Sequence, residues 1–240
     1  MAAALEAIIA SKARRASAPQ TQPHWRREGD VDGTRYGRYD YACGDDTHLI
    51  IEESYSSTGT RVWDMSVAMA RLLEKPRAAG DALRVGAGDA VLELGAGSGL
   101  LGMALARLGC AVTMTEIDEV VPHLEGVVAA NAAALGDRRP AVRALDWRRP
   151  VAAEFRGFDV VVASDVLICD QWAGDLARVL AAVAARARLV LVGTQRRRDG
   201  VPLFLEAARA AFDVAEVDAA EFDPAFSHAD LQLFRLAPKG

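Results

Sequence analysis

The sequence predicts an α/β fold: a Rossmann-like, doubly wound, seven-stranded sheet, mostly parallel with its last strand antiparallel, preceded by a small N-terminal β-hairpin extension. Two observations predict it. From Ala90 onward, short apolar runs alternate with Ala- and Leu-rich stretches of helical spacing, which is the pattern of βαβ units. The first of those runs, Val91–Leu94, ends in Gly95-Ala96-Gly97-Ser98-Gly99. Glycine at a strand end lets the backbone turn sharply and lets a ligand approach it closely.

Composition permits such a core. The chain has 240 residues, 51% hydrophobic and 25% charged, ordinary values for one sizeable globular domain. A net charge of −5 argues against charge-driven nucleic-acid binding. Cys43, Cys110 and Cys169 are odd in number and far apart. They fit neither a disulfide framework nor a zinc site, so no metal is expected, and they suit a reducing compartment. A cytoplasmic location is therefore expected, with the nucleus compatible. No apolar run reaches the ~18 residues of a membrane span.

In order along the chain, residues 1–30 read as a flexible N-terminal extension. Residues 1–28 are rich in Ala, Arg and Ser, with Glu6 the only acid before Glu28. That composition reads first as a short amphipathic helix over Ala3–Ala16 with a tail, and it also resembles an organellar targeting segment. Residues 31–57 are the hairpin region, with two strands flanking the turn Gly44-Asp45-Asp46. The main domain spans 58–240. It opens with a helix carrying Val62, Met65, Met69, Leu72 and Leu73 at helical spacing, stopped by Pro76. Strands begin near Ala90, Ala111, Ala141, Val160 and Leu189. Helices are predicted over Gly99–Leu108, Glu119–Leu135, Gln171–Ala187 and Pro202–Phe212, and two last strands near Asp213–Val217 and Leu231–Leu236.

In open α/β sheets, ligands bind beyond the carboxyl ends of the strands. The glycines here follow G-x-G-x-G, with Leu100 where the dinucleotide fingerprint would place its third glycine. That spacing counts against a nicotinamide-dependent reductase. Glu116 closes the second strand, where a carboxylate accepts hydrogen bonds from both hydroxyls of a ribose. Asp146-Trp147 closes the third, offering polar groups to an adenine edge and an indole face for stacking. Ser164 and Asp165 follow the apolar fourth strand. Each feature has a structural reading of its own, as a tight turn, a helix cap or a core tryptophan. Their placement at successive strand ends points to an adenosine-containing ligand with free hydroxyls.

Taken together, Thr58-Gly59-x-x-Val62-Trp63-Asp64, Glu93-x-Gly95-x-Gly97-x-Gly99, Glu116 and Asp146-Trp147 resemble the class I S-adenosylmethionine-dependent methyltransferases. Within that class the closest resemblance is to the seven-stranded protein-lysine methyltransferases (methyltransferase family 16, methyltransferase-21-like), over Thr58 to Phe212. The resemblance implies S-adenosyl-L-methionine as cofactor. It implies that Trp63 lines the cofactor pocket, that Gly95, Ala96 and Gly97 approach the methionine part, and that Glu116 binds the ribose. It further places Trp147 against the adenine and Ser164 near the fourth strand. Asp165 reads either as orienting the acceptor amine or as the N-cap of the helix after the fourth strand. The implied reaction is methyl transfer to a protein side chain, lysine first, by a monomer that needs neither nucleic acid nor membrane. A small-molecule acceptor, or a cofactor-binding module without catalysis, are the alternatives.

The chain departs from the family pattern in places. The family's D-x-x-Y reads Asp165-Val-Leu-Ile168, so the tyrosine hydroxyl is absent. Of two family asparagines after the second strand, Asn131 matches the later, and Val127 stands at the earlier. Glu116 stands where many members carry Asp. Displacement at a sulfonium needs positioning more than a strong base. The amine must be neutral, and a desolvated pocket lowers a lysine pKa from its ordinary ~10.4. The arginine run Arg196–Arg198 reads as a solvated loop or as a dock for an acidic partner.

Overall fold

The computed structural model describes residues 25–29, 36–54 and 58–239. The helix expected over Ala3–Ala16 lies outside these residues. So does nearly all of the segment read as a possible targeting sequence.

The expected hairpin is formed by β2 (Tyr36–Ala42) and β3 (His48–Ser54), paired antiparallel. Its turn is closed by the Cys43 amide donating to the Thr47 carbonyl at 2.8 Å, with the Asp45 carboxylate accepting from the Thr47 amide at 3.1 Å. A further strand, β1 (Trp25–Gly29), pairs with β2 and makes the sheet three-stranded. The sequence reading placed that span in the flexible extension. Trp-Arg-Arg-Glu-Gly has no apolar alternation to mark it as a strand, and what defines it is backbone pairing with β2.

Along β2 and β3 the inward residues are Tyr39, Tyr41, Leu49 and Ile51, all buried in the main core. The hairpin is thus built into the domain. Asn131 fastens it. Its Oδ1 accepts from the Ile50 amide and its Nδ2 donates to the Ile50 carbonyl, both at 2.7 Å, so one side chain pairs with the edge of β3 as a strand residue would.

The large sheet runs β6 (Ala141–Ala144), β5 (Ala111–Glu116), β4 (Ala90–Leu94), β7 (Val160–Ser164), β8 (Leu189–Gln195), β10 (Leu231–Pro238), β9 (Phe212–Glu216). Pairings from β6 to β8 are parallel, and β10 lies antiparallel between β8 and β9. The helices are α1 (Asp64–Glu74), α2 (Leu100–Arg107), α3 (Val121–Ala130), α4 (Ala132–Leu135), α5 (Ala173–Val183) and α6 (Gly200–Ala208). The single helix expected over Glu119–Leu135 is two, divided at Asn131.

Strand alternation builds two layers of core. Val91, Val160, Val162, Leu189 and Leu191 face α1, α2, α3 and the small sheet. Leu92, Leu94, Val161, Ala163, Val190 and Val192 face α5 and α6. The α1 helix sits tightly on β8, because a Cβ at Gly193 would fall 2.5 Å from Met65 Cγ. This seating fixes the first turn of α1 beside the carboxyl ends of β7 and β8. From β4 the chain moves outward to β5 and β6, then returns to β7 on the other side. The gap between β4 and β7 is the switch point where such sheets bind ligands.

Candidate active site

The glycine loop after β4 is held in place by its own backbone. The Ala96 amide donates to the Thr115 carbonyl at 2.9 Å, and the Gly99 amide to the Ala96 carbonyl at 2.8 Å. Gly95 and Gly97 have φ of 67° and 57°, the left-handed region that disfavours side chains. Space excludes them as well. A Cβ on Gly95 would lie 2.8 Å from Val166 Cγ1 and 3.3 Å from Trp147 Cζ2, and one on Gly97 would lie 3.2 Å from the Gly59 carbonyl oxygen. The Trp147 indole and the segment before α1 are therefore the two walls against which the loop runs.

Glu116 ends β5 under this loop. One carboxylate oxygen accepts from the Gly97 amide at 3.1 Å and the other from the Ile117 amide at 2.9 Å. Burial raises its pKa, and those two backbone bonds oppose the rise. A carboxylate offers about four acceptor positions, so two are left for a ribose diol. Ile117 beside it is 40% exposed, an apolar surface at the strand end open to a flat ring. Asp146 is engaged elsewhere. Its carboxylate accepts from Arg148 Nε at 2.8 Å and Nη2 at 2.7 Å, and those bonds hold its pKa down to about 2. Asp146 therefore shapes the loop that presents Trp147.

Across from the glycine loop, side chains from distant parts of the chain come together. Asp165, just after β7, is buried, with φ of 54°. Its Oδ2 accepts from the Met65 amide at 3.2 Å, so it caps the exposed amides of the first turn of α1. The capping reading of Asp165 thus holds in a changed form, since the capped helix is α1 and not the one after β7. Trp63 occupies the N-cap position of α1, where an indole has no acceptor to offer. Its backbone neighbours are tied down: Glu53 Oε1 accepts from the Val62 amide at 2.8 Å, and Ser98 Oγ donates to the Arg61 carbonyl at 3.1 Å. Ser164 is half-buried at the end of β7, opposite Gly193.

The arginine run divides. Arg196 bonds to Glu216 and, at 3.2 Å, to the Ala229 carbonyl. Arg197 bonds to Asp230. Arg198 turns inward, its guanidinium 5.5 Å from the centre of the Trp63 ring. Burial pushes its pKa down, and Asp165 is the largest opposing influence. His228, just before β10, lies 3.6 Å from Asp64. The Asp64 contact, Asp230 and Asp165 raise its pKa against partial burial. Ile168 is half-buried after β7, and Val127 is buried on α3. Among the described residues no cluster of His, Cys, Asp and Glu is suited to a metal ion.

Sequence reasoning missed Glu53 and His228, and marked Arg198 only as one of the run Arg196–Arg198. Glu53 left a signal: it continues the inward positions of Leu49 and Ile51, and an acid on the buried face of a strand needs a partner. For His228 there was none, since its approach to Asp64 depends on β10 running antiparallel to β8.

A doubly wound seven-stranded sheet with the antiparallel β10 between β8 and β9 is the class I methyltransferase fold. The family model described as lysine methyltransferase matches residues 44–211. Protein N-lysine methyltransferase METTL21A of Xenopus tropicalis is 30% identical over 172 residues, 71% of this chain and 77% of that one. Protein-lysine N-methyltransferase EEF2KMT of Mus musculus is 31% identical over 172 residues, covering 64% of this chain and 49% of that one. Among solved structures, the glycopeptide N-methyltransferase MtfA complexed with S-adenosyl-L-methionine superposes with a TM-score of 0.51 at 20% identity, over 65% of this chain and 83% of that one. The chain belongs to the lysine methyltransferase family.

Proposed function

We propose that this protein transfers a methyl group to the side-chain amine of a lysine in a protein substrate. The cofactor is S-adenosylmethionine, which supplies a methyl group on a sulfonium, already activated for transfer. The observation that carries the cofactor side of this reading is Glu116. It holds the glycine loop through Gly97 and keeps two acceptor positions for the ribose hydroxyls. The kinship with named protein N-lysine methyltransferases supports lysine as the acceptor.

The chain's own residues do the positioning. Gly95, Ala96 and Gly97 give the cofactor's methionine part a close backbone surface. Trp147 and Ile117 give its adenine apolar surface, and Trp63 and Ser164 complete the wall toward the acceptor. Asp165 faces the entering amine as a hydrogen-bond acceptor, its orientation fixed by the Met65 amide. Ile168 contributes an apolar wall where relatives of this pattern offer a tyrosine.

The protein is proposed to act as a monomer in the cytoplasm, without nucleic acid or membrane. Three free thiols and the negative net charge support this, and no helix among the described residues is long and apolar enough to cross a membrane. Incubating the purified chain and radiolabelled donor with a cell lysate tests the reading. Label on lysine in a discrete protein band is expected. Label confined to small molecules would replace the protein acceptor with a metabolite.

A further inference from the structure

Three arginines follow β8, and the structure gives them different fates. Arg196 and Arg197 are occupied by Glu216, the Ala229 carbonyl and Asp230 on the outer side of the loop. Arg198 is drawn in over Trp63. Its Nε and Nη2 are enclosed and have no hydrogen-bond partner among the described residues. Enclosed N–H groups left unbonded are costly, and for a charged group more so. Such an arrangement is stable in function when a ligand completes it.

The donor pattern specifies the ligand. Nε and a terminal nitrogen of one guanidinium form a planar fork that matches a carboxylate. The surroundings specify where the carboxylate belongs. Trp63, on which Arg198 rests, continues the segment whose Gly59 carbonyl touches Gly97 of the glycine loop. The acids about this end of the pocket, Asp64, Asp165 and Asp199, all act on Arg198 electrostatically, so an anionic ligand entering there needs a cation to receive it. We propose that Arg198, braced on Trp63, binds the α-carboxylate of the cofactor's methionine part. This inference rests on the S-adenosylmethionine site described above and adds the residue that reads the end of the cofactor remote from adenine.

The test is a binding cycle by calorimetry on the full chain. It uses S-adenosylmethionine and decarboxylated S-adenosylmethionine, which differ by the carboxylate alone, against the parent, R198Q and R198K. The parent is expected to bind S-adenosylmethionine about 10- to 100-fold more tightly than the decarboxylated form, as a charge-assisted pair predicts. R198Q erases that preference by weakening S-adenosylmethionine alone. R198K, with the charge but not the fork, falls between. A thermal melt of each variant reports folding, and the decarboxylated ligand reports pocket integrity in the same protein. Equal weakening of both ligands by R198Q would make Arg198 a packing partner of Trp63 and overturn the proposal. Unchanged affinity for both would place the carboxylate elsewhere and overturn it too. A parent that binds neither ligand would instead sink the cofactor reading itself.

Discussion

The two ends of the proposed site are built by different means. The cofactor end is made of backbone and strand termini: a glycine loop after β4, an acid closing β5, and an indole placed by the turn after β6. Each of these is local in sequence. The other end, remote from the adenine and toward the proposed acceptor, is made of side chains that converge from four separate stretches: Trp63 before α1, Asp165 after β7, Arg198 after β8 and His228 before β10. Backbone-built sites keep a spacing that can be read along a chain, whereas convergent sites exist only once the topology is fixed. The predictions below separate the two ends, starting with the largest expected effect.

The first breaks the cofactor end. Gly95→Ala adds a methyl at a φ of 67°, 2.8 Å from Val166 Cγ1 and close to Trp147. The loop must shift and the indole must move from its seat. Misplacement of a bound reactant by about 1 Å costs on the order of 100-fold in rate. Calorimetry with S-adenosylhomocysteine should show binding weakened by a comparable factor in a protein that still melts cooperatively. Parental affinity would mean that the loop is not a cofactor wall.

The second prediction sharpens the acceptor end. Asp165 caps α1 and, in the proposed reaction, faces the acceptor, and two substitutions divide the two roles. Asn in Asp165→Asn still accepts from the Met65 amide and tolerates the left-handed backbone. Its stability should stay near parental, while kcat falls about 10-fold or more with the loss of a charged acceptor. Asp165→Ala should lose kcat and also about 1–2 kcal/mol of stability, the usual worth of a cap. If Asp165→Asn turns over as the parent does, Asp165 is a cap alone.

What the sequence made legible follows the same division. The order of the seven strands, the loop, Glu116 and Trp147 could be placed because apolar alternation and glycine spacing are short-range signals. Asp165 was found, but the helix it caps was not, since the Met65 amide is brought to it only when α1 settles on Gly193 of β8. The run Arg196–Arg198 looked uniform as sequence, and packing then sent one member inward. β1 escaped notice because it lacks an apolar face in its sequence, and the break at Asn131 because alanines continue on both sides of it.

Asn131 provides a third prediction, on how firmly the small sheet is joined to the domain. Asn131→Ala removes the bonds to the Ile50 amide and carbonyl, and another at 2.8 Å to the Val127 carbonyl. Leaving buried backbone groups unmatched costs on the order of 1–3 kcal/mol each where water cannot replace the bond. Urea unfolding should show a loss of about 2–4 kcal/mol on that basis, with cofactor affinity changed little. A loss below about half a kcal/mol, the range of ordinary surface substitutions, would mean that the buried Tyr39, Tyr41, Leu49 and Ile51 hold the sheet without it.

The last prediction concerns an acid beneath the cofactor end. Glu93 on β4 is wholly buried against Gly102 of α2, where a Cβ would fall 2.4 Å from its Oε2. Burial raises its pKa from an ordinary 4.5 to about 8, against the favourable Gly102 amide and reinforced by the negative charge of Glu116. Below about 4.5 the carboxyl is protonated in both folded and unfolded chains, and its contribution to stability is complete. Between that value and about 8 the unfolded chain gives up the proton while the folded chain keeps it. Stability therefore falls as pH rises through this window, at most by about 1.4 kcal/mol per pH unit. Above it the loss levels off, because both states are ionised. Glu93→Gln has no proton to lose, so the Tm of the variant minus that of the parent should climb from pH 5 to pH 8 by on the order of 10 °C, from about 3.5 kcal/mol of linked stability at ~2–4 °C per kcal/mol for a domain of this size. A flat difference would show that Glu93 ionises in the folded protein at its ordinary pH. The acid under the loop would then be a second negative charge beside Glu116, and the cofactor end would no longer be the part of the pocket governed by backbone alone.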